Sequence, residues 1–283
     1  MTVAAQTLNA PPAMGPAFAH ALLPSRSHTA RIPAHAAVVQ DWTPDPARLA
    51  EYSRVCGFTL RSTVPPTWLH VLTFPLHVHL LGDRSSSVRL VGAVHVSNEM
   101  TLHRPVGATE RLTLEVRADH LRRHAKGALV DLVGQIRVDD EVVWDGVSTY
   151  LARGVEVAGE PAKMPHLGFE PGMPQGRWRL PADLGRRYRS VSHDPNPIHT
   201  SRVMARAFGF PRPVIHGMWT HARALAALEQ RLPESYTVRV GFAKPLLLPG
   251  TVGFRAYEDD DVLHAAVTSR DGARPYMVME IDR

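Results

Sequence analysis

Two kinds of hydrophobic spacing succeed one another along this chain, and they do so twice in the same order. Residues 67–81 are apolar nearly all round, with Trp68, Leu69, Val71, Leu72, Phe74, Leu76, Val78, Leu80 and Leu81, a pattern that predicts a fully buried helix. Pro75 falls inside it and should kink it or remove one backbone hydrogen bond. Alternating positions then predict strands over 88–96, 112–118, 128–138 and 142–151. In the second round, 203–208 and 217–232 carry helical spacing, with Met218, Ala222, Leu225 and Leu228 along one face. After Pro233 the alternation returns in Tyr236, Val238, Val240 and Phe242, then over 252–256, 262–268 and 276–281. Asp259-Asp260-Asp261 and Asp271-Gly272 mark turns between them.

Small features recur too. Arg104-Pro105-Val106-Gly107 precedes one middle strand as Leu248-Pro249-Gly250 precedes its counterpart. The chain therefore reads as an internal duplication. A long apolar helix followed by an antiparallel meander packs most simply with the sheet curled around the helix, so the fold class is α+β. Residues 1–38 lack sustained periodicity and read as a flexible arm. The first repeat spans 39–153 and the second 179–283; between them the Pro- and Gly-rich stretch 154–178 is a linker.

Composition narrows the class of function. The chain has 283 residues, 44% hydrophobic and 21% charged, as a globular protein does. No run approaches the ~20 apolar residues of a membrane span, and no signal peptide opens the chain. The lone Cys56 cannot form an internal disulfide and reads as a small core residue, so a cytoplasmic location is expected. A net charge of +5 suits an anionic partner. The basic residues come in pairs, Arg122-Arg123 and Arg186-Arg187, without the interleaved aromatics of a nucleic-acid platform, and nucleic acid is set aside as a partner.

The chemistry concentrates in Tyr188-Arg-Ser-Val-Ser-His-Asp194-Pro-Asn-Pro-Ile-His199, followed by His216-Gly217-Met218. Pro195 and Pro197 restrict the backbone, so the Asp194 and His199 side chains can be held toward one point. A carboxylate and an imidazole converging on one water can take its proton and return it. Gly217 stands where a helix should begin; lacking a side chain, it lets a ligand carbonyl approach a backbone N–H. Ser192, His193, Asn196 and His216 complete the loop as supporting residues, His216 as an N-terminal or core histidine. Taken alone, Asp-Pro-Asn-Pro is more often a turn. His77 and His79, two apart, would share a face only on a strand and make no metal site. Arg187, Arg189 and Lys244 read as solvated charge, with contact to substrate phosphates as the alternative.

The run Asp194, Asn196, Pro197, Ile198, His199 with His216, Gly217 and Met218 resembles the signature of the MaoC-like dehydratases, the (R)-specific enoyl hydratases. One departure is His193, where that family usually has Gly. The resemblance implies a tandem double hot-dog fold, each repeat a sheet wrapped around a helix. It implies a catalytic second repeat in which Asp194 and His199 activate water, Gly217 supplies the oxyanion N–H and Asn196 braces the loop. Residues 40–66 hold no matching motif, so the first repeat is expected to shape the acyl pocket without catalysing. The implied reaction is reversible dehydration of an (R)-3-hydroxyacyl thioester of coenzyme A or acyl-carrier protein in fatty acid metabolism. It uses no metal and no redox cofactor. The tandem form leaves room for a homodimer. Two other readings stay open: an acyl thioesterase, which would release free thiol, and a non-catalytic acyl-thioester-binding subunit.

Overall fold

The computed structural model describes residues 4–15, 29–89, 92–163 and 167–283. The first half opens with strand β1 (Ala4–Leu8) and strand β2 (His35–Trp42), then helix α1 (Pro46–Cys56) and the long helix α2 (Pro66–Gly82). Strands β3 (Val94–Leu102), β4 (Leu112–His124), β5 (Gly127–Val138) and β6 (Glu141–Arg153) follow. The second half repeats the order with β7 (Gly176–Leu180), α3 (Leu184–Ser192), the short α4 (Arg202–Ala207), α5 (Gly217–Leu228) and β8 (Tyr236–Phe242). It ends with β9 (Gly250–Asp259), β10 (Val262–Thr268) and β11 (Pro275–Asp282).

All the strands join one sheet in the order β1-β2-β4-β5-β6-β3-β8-β11-β10-β9-β7. The halves are mirror orders that meet where β3 and β8 pair antiparallel, from Ser97 opposite Gly241 to Leu102 opposite Tyr236. In the first half β2 to β6 pack on α2; in the second β10 and β11 pack on α5. This is the double hot-dog arrangement that the resemblance implies. The helices α1 and α3 meet across the junction, with the Tyr52 and Tyr188 rings 6.2 Å apart.

Helix α2 has fourteen of its seventeen residues buried, so its apolar circumference is used on every side. Several expectations need correction. The strand expected at 88–96 is β3, beginning at Val94, two residues after Gly92, whose φ is +84°; residues 90 and 91 lie outside the described residues. Residues 1–38 are not wholly an arm, because β1 pairs in parallel with β2, Ala4 opposite His35. The stretch read as linker ends inside β7, which pairs with β9 at the sheet edge. Helix α1 was not anticipated, although its signals are local: Asp45 accepts from Ala47 N–H, Pro46 opens the first turn, and Gly57 at φ +84° closes it.

Candidate active site

Helix α3 delivers the site. Its last residue is the buried Ser192, and it ends because His193 turns left-handed, at φ 58°, donating its N–H to the Arg189 carbonyl. The chain then folds back on itself through side-chain-to-backbone bonds. Asp194 N–H donates to Ser192 Oγ at 3.3 Å, Asp194 Oδ1 accepts from Asn196 N–H at 2.9 Å, and Asn196 Oδ1 accepts from Ile198 N–H at 3.3 Å. The last contact caps a single 3-10 turn, Pro197–His199. These bonds leave Asp194 Oδ2 as the oxygen free to face the cavity.

His199 is fixed from behind. Its Nδ1 lies 2.6 Å from the Val214 carbonyl, which can only accept, so the proton sits on Nδ1 and the Nε2 lone pair faces forward. Nε2 is 3.9 Å from Asp194 Oδ2, too far for a direct hydrogen bond and the spacing that one shared water oxygen spans. Burial lowers the His199 pKa below the usual imidazole value, against the opposing pull of the Asp194 carboxylate and the Val214 carbonyl. The ring is therefore neutral at neutral pH and acts as an acceptor.

His216 stacks on it, ring centres 3.6 Å apart at 26°, with its Nε2 3.7 Å from Asp194 Oδ2. Among the described residues neither ring nitrogen of His216 has a hydrogen-bond partner, and burial, then His199 and Arg189, hold its pKa well down. His216 is thus neutral and closer to the carboxylate than its reading as a core residue suggested. Asp194, His199 and His216 offer ligand atoms within 4.8 Å of one another, the composition of a metal set. The stacked rings argue otherwise, since lone pairs in nearly parallel planes do not converge on a single ion.

Gly217 is the first residue of α5, so its N–H has no acceptor within the helix and lies at the positive end of the helix dipole. A Cβ there would stand 3.0 Å from the Phe242 ring, which explains the absence of a side chain. Gly185, absent from the motif, is more tightly constrained: a Cβ would fall 2.0 Å from the His199 carbonyl oxygen, so only glycine lets α3 rest on the 3-10 turn. Tyr188, which was quoted within the motif and given no role, is buried with its ring 4.9 Å from His216.

These groups line a cavity of about 450 Å³ built by both halves. The first half contributes His70, Val71 and Phe74 of α2, with His95 of β3 and Tyr150 of β6; the second closes it with Phe242. Lys126, Arg153 and Lys244 also line it, whereas Arg187 and Arg189 do not.

The two halves are unequal at the corresponding places. Val64 N–H donates to the Val106 carbonyl just before α2 as Ile215 N–H donates to Leu246 just before α5, which sets Pro66 opposite Gly217. Pro66 has no N–H to offer. The left-handed residues Gly57 and His193 correspond in the same way, so Phe58 stands where the second half has Asp194. The connection from Gly57 to Val64 is short, while that from His193 to Ile215 carries the entire motif.

Comparison with known proteins finds relatives over most of the chain. The family model described as "MaoC like domain" matches residues 168–273. The chain is 37% identical over 239 residues to 3-hydroxyacyl-thioester dehydratase X of Mycobacterium tuberculosis, covering 84% of this chain and 85% of that one. It is 29% identical to 3-hydroxyacyl-thioester dehydratase Y of the same organism, over 66% of this chain and 70% of that one. Among solved structures, HtdX of M. tuberculosis superposes with a TM-score of 0.78 at 33% identity, over 88% of this chain and 99% of the other.

Proposed function

The chain belongs to the MaoC-like dehydratase family, and from that premise we propose that Asp194 and His199 are its reacting pair. It is an (R)-3-hydroxyacyl thioester dehydratase of fatty acid metabolism, a hydro-lyase. The observation that carries the residue assignment is the 3.9 Å gap between Asp194 Oδ2 and a His199 Nε2 whose lone pair is fixed forward.

In the hydration direction one water donates an O–H to each of these acceptors, which turns an oxygen lone pair toward C3. As the C3–O bond forms, the π electrons move to C2 and the thioester oxygen, and the water's proton passes to the pair. The Gly217 N–H meets the charge that grows on that oxygen. The pair then returns a proton to C2. Dehydration is the reverse: the pair takes the C2 proton, and the C3 hydroxyl leaves as water on receiving one.

We assign His216 to positioning, as the ring that backs His199, and Asn196 with Ser192 to holding the turn that aims Asp194. The first half is assigned a non-catalytic role, supported by Pro66 and Phe58 at the places of Gly217 and Asp194. The carrier is a thioester of coenzyme A or of acyl-carrier protein, in keeping with Lys126, Arg153 and Lys244 along the cavity. No helix among the described residues is long and apolar enough to cross a membrane, and we place the enzyme in the cytoplasm. The β3–β8 seam meets within one chain the pairing that single-repeat proteins obtain between subunits; light scattering reads whether a homodimer forms in addition.

The test is the enoyl-thioester absorbance band on mixing with crotonyl or longer trans-2-enoyl thioesters of coenzyme A. Loss of the band without release of thiol is expected. Asp194→Asn and His199→Ala should each lower the rate by roughly 10²-fold or more, the usual contribution of a general acid–base group. Near-normal turnover in both would overturn the assignment, and thiol release would point to a thioesterase.

A further inference from the structure

A second cavity of about 430 Å³ lies behind the first, and Val71 belongs to the walls of both. Its walls are mostly apolar: Trp42, Leu72 and Pro75, covered by Pro12 and Met14 of the segment that β1 brings to the sheet. Arg48 and His193 close the remaining side. Arg48 is held there, donating through Nε to the Val191 carbonyl at 2.8 Å and lying over the Trp68 ring. His193 is the sequence neighbour of Asp194, so the second cavity starts one residue behind the proposed reacting carboxylate.

The helix itself explains why a space exists at this place. Pro75 has no N–H, so the Val71 carbonyl four residues earlier loses its helical donor. Val71, Leu72 and Pro75 of that turn face the second cavity. Val71 is only 2% exposed, and on α2 it stands between His70 and Phe74, which line the first cavity, and Leu72 and Pro75, which line the second.

Resting on the dehydratase reading above, we propose that the second cavity receives the distal methylenes of long acyl chains and that Val71 is the gate to it. With the thioester carbonyl at Gly217, the basic residues of the first cavity take the carrier. Val71 and Phe74 of α2 offer the tail an apolar wall, and of the two Val71 also lines the second cavity. A chain that outgrows the first cavity then advances past Val71 into a space lined by Trp42, Leu72 and Pro75. Val71 sets the length at which the rate falls.

The test compares kcat/KM on crotonyl-, octenoyl- and dodecenoyl-coenzyme A for the native chain, Val71→Ala and Val71→Phe. Val71→Ala should raise the dodecenoyl-to-crotonyl ratio roughly tenfold, what burying about two further methylene groups is worth. Val71→Phe should lower it; if that variant does not fold, Val71→Ala decides. A ratio within about twofold of native in Val71→Ala overturns the gate. Calorimetric binding of the unreactive butyl and dodecyl thioethers of coenzyme A gives a second readout without turnover, with the same ordering expected. Loss of all hydration with chain-length binding intact would refute the dehydratase reading and leave the gate standing. Hydration indifferent to residue 71 at every length would do the reverse.

Discussion

Pro66 and Gly217 each open the long helix of their half, and at the backbone they differ by one N–H. Proline is well tolerated at a first helical position, so Gly217→Pro should keep the helix while deleting the proposed oxyanion donor. Gly217→Ala adds the same Cβ, 3.0 Å from Phe242, but keeps the N–H. The proline variant should fall below the alanine variant by about 10²–10³ in kcat, with unchanged far-ultraviolet dichroism; equal rates would remove Gly217 from the chemistry. His193 makes a second residue-scale case. It occupies a left-handed position that its counterpart Gly57 fills without a Cβ, and His193→Gly should stabilise the fold by about 0.5–1 kcal/mol, read as a higher denaturation midpoint. Asp194 and His199 were legible because Pro195 and Pro197 restrict the backbone between them, and Gly217 because it stands without a side chain at a helix start. Gly185 and Tyr188 were not, since what makes them matter is the approach of α3 to the 3-10 turn and to His216, which no local pattern encodes.

At the scale of elements, the β3–β8 seam joins the halves, and its strength lies in its apolar positions. Met100 opposite Val238 is fully buried on both sides, whereas Glu99 opposite Arg239 is an ion pair with both side chains substantially exposed. Met100→Ala should destabilise by about 2–4 kcal/mol in urea unfolding, and Glu99→Gln by less than about 1 kcal/mol. The reverse ranking would mean that charge holds the seam. The long helix and the central strands were readable because burial on all sides or on alternate sides writes itself into spacing. Helix α1 buries only Leu49, Tyr52, Ser53, Val55 and Cys56, so its stripe is narrow and its caps were the better signal. The edge strands β1 and β7 are five residues each, and β7 alternates exposed and half-buried positions until Leu180, too little pattern to see without the partner strand.

Across the whole molecule, several histidines are buried and held neutral. His70 lines the cavity with His77 packed on it, ring centres 5.4 Å apart, His221 is buried in α5, and His216 lies in the site. Burial lowers the His70 pKa to about 4 and the His221 pKa to about 3, from an ordinary 6.5, and puts His77 well below it as well. The folded chain thus refuses protons that the unfolded chain accepts, and stability falls as pH drops from 6.5 toward those lower values. Each such histidine contributes up to about 1.4 kcal/mol per pH unit inside its window. Carboxylates whose pKa is lowered, such as Glu258, held at about 2 by Arg231 and Arg283, weaken the fold only below their ordinary 4.5. A lower melting temperature at pH 5 than at pH 7 therefore isolates the histidines; equal values would contradict their neutral burial.

The inequality between the two helix starts also bears on history. On the proposed assignment, the first half would have to exchange a proline and insert a loop to gain a second centre, and neither change alone confers a reaction for selection to act on. That half would then be bound to the architecture yet released from the chemistry. Drift there can alter which substrates the enzyme admits while the way it reacts stays fixed.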